Sequence, residues 1–421
     1  MLSLVLFALT ALSIFFISIF EPSVISCIVL FSICYFPSWF GSKSLFEPLP
    51  FFGMFLYFYV ISFSCFVLIT EGYSVSYNQH FILIMSGFCT YLGLLLAEIA
   101  AGPTAISHTS FIDLQSQDFN KLSRVLSIIF APFFIISLYE VMASGNVNKY
   151  ELNTGGIFNA LAYYFLAFFF IYVTSAKRNL KFKIFIFLLM FFLFYLVSGE
   201  RDFFIRAFLL ILFFLYITDK INNKVTIIAF ILGFLLAPLS QSLKGMLGYN
   251  SDKLETILIF DNFIITLFSG EFMSQGRNFY WMLEYKDRMA QIYENMLVND
   301  ILRFFKLYEH SSASLFGEKI VGRDGGSGVG FSLLGELFFS FGFPGLFLFG
   351  LLTGLFLKQV AKIASKSSLS IYMYITILFS CSYALRADFA NLLAGVIKIG
   401  LLPVITVLVL RYSVNLVNRA R

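Results

Sequence analysis

Apolar runs long enough to cross about 30 Å of hydrocarbon recur along the whole chain. They occupy residues 2–20, 23–40, 51–70, 80–100, 122–143, 157–175, 184–198, 203–218, 225–241, 344–363, 369–385 and 389–411. Lipid offers no hydrogen bonds, so a run of this length must satisfy its own backbone and becomes a helix. Over 421 residues the chain is 59% hydrophobic and only 13% charged, with a mean hydropathy of +0.87. No water-soluble core could hide that much apolar surface. The expected fold is an all-α polytopic membrane protein with about twelve transmembrane helices.

One polar stretch breaks the pattern. The chain divides into membrane helices over 1–241 (about nine spans), a long loop with an interfacial half-helix over 242–343, and about three further spans over 344–421. Orientation follows from the basic clusters Lys177/Arg178/Lys181/Lys183, Lys220/Lys224, Lys358/Lys362/Lys366 and Arg411/Arg419/Arg421, which fall on one side if the count holds. The positive-inside rule makes that side the cytoplasm. The net charge of +5 is explained by these clusters and asks for no nucleic-acid partner. The 2–20 run lacks a basic leader and a small-residue cleavage site, and reads as a retained first helix. The loop is expected to carry a membrane-hugging helix over 254–269. Its last part, 331–341, is too short to span and should be broken from the next span by Gly342-Phe343-Pro344-Gly345, leaving an amphipathic half-helix with Glu336 at the outer interface.

The residues that could do chemistry collect on the side away from the basic clusters. Arg201 lies in the turn Ser198-Gly199-Glu200-Arg201-Asp202; Asp202 and Arg206 are four apart and share a helical face, where they either pair with each other or serve a ligand. The loop adds Arg277, Arg288, Arg303, Lys306, Lys319 and Arg323, and Arg386 follows near Asp388. Several guanidiniums near a leaflet suit a diphosphate, because each offers a planar fork to phosphate oxygens and stays charged. Trp281 stands one helical turn after Arg277, and Tyr280 precedes it, so this stretch could hold a sugar face beside a cation; an interfacial Trp anchor is the plainer reading.

His310 is the loop's histidine, and an unperturbed imidazole titrates near neutrality, which suits a general base. Glu318, Asp324 and Glu336 are carboxylate alternatives. The run from Arg323 to Gly330 is glycine-rich but lacks the Lys-Ser/Thr ending of a nucleotide-binding loop. No Asp-x-Asp, His-Glu-x-x-His or Gly-x-Ser-x-Gly motif occurs, so neither a metal nor a cofactor is expected. The five cysteines lie inside apolar runs and read as small hydrophobes. Lys398 falls within the last span and needs a partner that sequence does not name.

Taken together, Ser198-Gly199-Glu200-Arg201 at a helix end, one long loop late in the chain, and Leu334-Gly335-Glu336-Leu337-Phe338-Phe339-Ser340-Phe341-Gly342-Phe343-Pro344-Gly345 resemble the bacterial O-antigen polymerases. The related O-antigen ligases share an Arg in a comparable turn, an Arg followed by Trp in the loop, and a Gly-x-x-Gly after a short helix. Ligases also place a His just before that helix, where this chain has Phe331. The resemblance implies a GT-C-like fold and an active site on the periplasmic face of the inner membrane. It implies that undecaprenyl-diphosphate-linked oligosaccharides are both donor and acceptor, with a chain-length regulator and a flippase as protein partners. Under it, Arg201 and Arg277 would hold the diphosphate with Arg323 or Arg386 assisting, His310, Glu336 or Asp324 would be the base, and Arg206, Arg288, Tyr280 and Trp281 would contact substrate. A ligase and a lipid-linked-oligosaccharide transporter are the rival readings; Glu98 and Lys398 are the residues a transporter would use.

Overall fold

The computed structural model describes residues 2–70, 75–102, 106, 108–109, 120–143, 157–175, 178–198, 201–233, 271–288, 296–308, 310–322 and 330–420. Every regular element among them is helical. The first half contributes α1 (Leu2–Phe20), α2 (Val24–Phe40), α3 (Pro48–Thr70), α4 (Tyr77–Ala101), α5 (Asn120–Ala143), α6 (Ile157–Thr174), α7 (Leu180–Ser198) and α8 (Arg201–Ile217), followed by α9 (Asn223–Gly233). The loop holds α10 (Glu271–Glu284), α11 (Met296–Phe304) and α12 (Ser312–Lys319). Then come α13 (Leu333–Ala361), α14 (Ser368–Ala384), and a last run in which α15 (Phe389–Leu393) passes through a π-helical stretch, Ala394–Leu401, into α16 (Leu402–Ala420).

Six of these helices are long and apolar enough to cross a membrane, and shorter apolar helices such as 24–40 and 368–384 lie between them. The chain is a multi-pass membrane protein. Helix ends follow local chemistry: Ser23 accepts from the Ser26 N–H at 3.2 Å, and Ser367 exchanges hydrogen bonds with Ser370 at the start of α14, each satisfying donors that a helix start leaves open.

The tightest crossing joins α4 to α13. A side chain at Gly93 would run into the Phe347 backbone, and one at Gly350 into the Thr90 backbone. In lipid, where the hydrophobic effect does not drive helices together, such close backbone approach is what association rests on. Further along the same pair, Lys358 Nζ meets Glu98 Oε2 at 2.9 Å with its side chain 2% exposed, and it also donates to the Gly102 carbonyl. Lys358, counted in the sequence among the charges that orient the chain, is also a buried strut.

One expectation about the half-helix holds and one is revised. Within α13 the chain breaks at Gly342, whose φ of 65° and ψ of −161° separate a half-helix over 333–341 from the span that follows, as Gly342-Phe343-Pro344-Gly345 led us to expect. Only glycine takes that conformation cheaply. The start of the half-helix, however, does not face an interface: residues 333–337 are all buried and Glu336 is 0% exposed. The expected helix over 254–269 and the glycine-rich residues 323–329 lie outside the described residues.

Candidate active site

Arg201 is the first residue of α8, at the bundle end opposite the Lys358–Glu98 pair. Arg386, 185 positions later, is close enough to act on its charge, as are the phenols of Tyr383, Tyr195 and Tyr59. Tyr59, buried on α3, feels both guanidiniums. The Arg386 guanidinium lies over the Tyr383 ring at 4.9 Å. Two cations gathered at one place repel, and a bound anion of two or more charges relieves that repulsion.

The position of Arg386 comes from the stretch just before α13. The Phe331 N–H donates to the Arg386 carbonyl at 3.0 Å and the Leu333 N–H to the Leu385 carbonyl at 3.3 Å. That stretch is itself held by α10, where Gln275 Nε2 donates to Ser332 Oγ at 2.9 Å.

α10 has three faces, one hundred degrees of rotation separating successive residues. Gln275, Phe279 and Met282 meet the half-helix, the last two against Gly335. Gly276 and Tyr280 meet α3, Gly276 so closely that a Cβ would fall 2.6 Å from that of Phe63, and the Tyr280 ring packs 5.5 Å from Phe63. The third face carries Ser274, Arg277 and Trp281. There the Arg277 guanidinium sits over the Trp281 ring at 4.7 Å, a contact that fixes a cation beside an aromatic plane. Ser274 and Asn278 border Gly330, which also faces the Arg386 carbonyl, so this face adjoins the Arg201–Arg386 pair.

Three fully buried carboxylates, Asp300, Glu336 and Asp388, close the other side. Each takes a different N–H of the first turn of α15: Glu336 from Phe389 at 3.1 Å, Asp300 from Ala390 at 3.3 Å, and Asp388 from Asn391 at 2.8 Å. Asp300 also accepts from Ser312 N at 2.7 Å and Asp388 from Ala313 N at 3.3 Å, so the pair caps α12 as well. Negative groups belong at helix N-termini, which carry partial positive charge. Burial, with Asp388 beside it, nevertheless pushes the Asp300 carboxyl up to about 7.

The sequence candidates therefore fall into distinct groups. Arg201 and Arg386 come together, with the Arg277–Trp281 face beside them. Arg206 is 3% exposed and spent on structure: it pairs with Asp202 at 2.7 Å and donates to the Thr376 carbonyl at 3.1 Å and Ser380 Oγ at 2.9 Å. Tyr280 packs inward on α3, Glu336 caps α15, and Arg288 is exposed with its guanidinium 5.7 Å from the Tyr285 ring. His310 is exposed two residues before the Ser312 that Asp300 holds. Arg323 and Asp324 lie outside the described residues. Sequence reasoning missed Tyr59 and Tyr383, which nothing distinguishes from the other aromatics of apolar runs. It also missed Asp300; the Asp388-x-x-Asn391 cap was readable as a helix start.

The family profile for the O-antigen polysaccharide polymerase Wzy matches residues 1–416 of this chain. The chain belongs to that family. Wzy proteins polymerise O-antigen repeat units, so the Arg201–Arg386 cluster sits in a glycosyltransferase-type enzyme acting on lipid-linked oligosaccharides. No curated protein and no solved structure is similar enough to the chain to add a second comparison.

Proposed function

We propose that this Wzy chain joins undecaprenyl-diphosphate-linked repeat units on the periplasmic face of the inner membrane, with Arg201 and Arg386 gripping the donor's diphosphate. The observation that carries this reading is the electrostatic proximity of two guanidiniums from distant parts of the sequence, one of them over the Tyr383 ring, with a third cation stacked on Trp281 on the adjoining face. The acceptor hydroxyl oxygen attacks the donor's anomeric carbon, the bond from that carbon to the diphosphate oxygen breaks, and the lipid diphosphate leaves with the electron pair. Guanidiniums already in place stabilise the charge that grows on the leaving group; removing one such donor typically costs about a hundredfold or more in rate. Arg277 steadies the same group from α10 while Trp281 lies along a sugar face.

The proton of the acceptor hydroxyl goes to His310. The segment it begins is tied through Ala313 to Asp388, two residues from Arg386. Glu336, held by the Phe389 N–H, serves the scaffold. The periplasmic placement is supported by the exposed Lys220, Lys362 and Lys366 at the opposite bundle end, in keeping with the positive-inside rule. Purified protein incubated with a lipid-diphosphate-linked repeat unit, without nucleotide or metal, should give a ladder of lengths and free lipid diphosphate on a gel. No ladder from folded protein and the correct repeat unit would refute the assignment.

A further inference from the structure

A second group of cations lies apart from the Arg201–Arg386 pair. Lys398 projects from the π-helical stretch Ala394–Leu401, and its ammonium rests over the Phe304 ring at 4.8 Å. Phe304 lies between Arg303 and Lys306 at the end of α11, and both of these cations act on the Lys398 charge. π-helical turns cost stability and occur mostly where a side chain has to be aimed. Here the widened turn is anchored on its other side: Gly395 packs on Ser380 and Gly400 on Ile377, leaving no room for a Cβ, and the Ile399 carbonyl accepts from Tyr372 Oη at 2.8 Å.

The neighbourhood is apolar and outward-facing. Phe305 is 63% exposed and Leu307 74%, flanking Lys306, whose backbone is left-handed at φ 59°. Three cations bordered by exposed apolar side chains match a ligand that carries phosphate charge and a hydrocarbon chain together. A lone solvated charge would have no use for the π-helical turn or for the apolar rim.

Polymerisation needs such a ligand twice. The donor and the acceptor are both lipid-linked, and when the acceptor's far sugar reaches the donor's anomeric carbon, its own diphosphate lies a repeat unit away. Asp388 and Lys398 stand on one helical run separated by roughly 15 Å of rise. Resting on the function proposed above, we infer that Lys398, Lys306 and Arg303 hold the diphosphate of the acceptor lipid, with Phe305 and Leu307 along its prenyl chain. An anionic phospholipid headgroup shares this chemistry, and the test separates the two.

Two measurements decide. In native mass spectrometry of the full chain with geranylgeranyl diphosphate, the wild type should carry two molecules and the double variant Lys398→Gln/Lys306→Gln one. In nanodiscs, wild-type kcat/KM should be higher for an acceptor bearing a lipid diphosphate than for the same oligosaccharide without it, and that ratio should fall at least tenfold in the variant. Equal stoichiometry in the two proteins, or an unaltered ratio, overturns the inference. So does a variant effect that appears only in phosphatidylglycerol-rich nanodiscs and is the same for both acceptors, which would assign the cluster to a phospholipid. Absence of polymerisation by the wild type would fell the proposed function while leaving the stoichiometry result to judge this site alone.

Discussion

The two ends of the bundle place their charges differently. At one end Lys358 meets Glu98 and the Gly102 carbonyl, so its charge is answered by a neighbouring helix. At the other, the half-buried Arg201 and Arg386 act on each other through space, with tyrosines about them, a placement that favours a visiting polyanion. Within α8 the first arrangement recurs: Arg206, five residues from Arg201, is met by Asp202.

Breaking the first end should have the larger effect on folding. Lys358→Met leaves the partly exposed Glu98 without its cation, and an acceptor stripped of its partner at such a place costs roughly 1–3 kcal/mol. Unfolding in detergent should show it, and Lys358→Met/Glu98→Leu should recover most of the loss; a double variant as unstable as the single one would mean that Lys358 does not act through Glu98. At the second end the loss should be kinetic. Arg201→Ala and Arg386→Ala should each lower polymer formation about a hundredfold while melting close to wild type, and a loss of product that merely tracks melting would return both residues to the scaffold.

Smaller effects sharpen the division. Trp281→Leu removes the ring beneath Arg277, a contact worth about 1 kcal/mol, so the apparent KM for lipid-linked substrate should rise about fivefold with little change in stability. An unchanged KM would leave Trp281 as a packing residue. The gentlest test uses pH. Asp300 has a folded value of about 7 against an ordinary value of 3.8, so between these the folded protein holds the extra proton. Stability should therefore fall as pH rises through that window and level off above 7. The melting midpoint should be lower at pH 8 than at pH 5, and Asp300→Asn should flatten the slope; a slope that survives the substitution belongs to another group.

Much of the fold was legible because membrane helices are written as apolar length. The expected runs 2–20, 23–40, 51–70 and 80–100 each reappear within a few residues as α1 to α4. The Asp202–Arg206 spacing of four likewise offered the pairing that occurs. Juxtaposition across the chain was not legible: nothing near Arg201 points to Arg386, because helix packing chose that partner. Glu336 was misplaced for a similar reason. An ionisable residue in an apolar stretch reads as interfacial until the N–H groups that justify its burial are seen, and those belong to a helix more than fifty residues later. Lys398 needed a partner, and among the described residues the ring of Phe304 in the loop supplies one.

The three carboxylates on the first turn of α15 also set a schedule. Asp300 and Glu336 leave the ribosome before the N–H groups of Ala390 and Phe389 that they accept from. Until the last helical run is threaded into the bilayer these acids have no donor there, and the corner bearing Arg386 has no fixed seat. That end of the molecule is thus completed only after most of the bundle has been made.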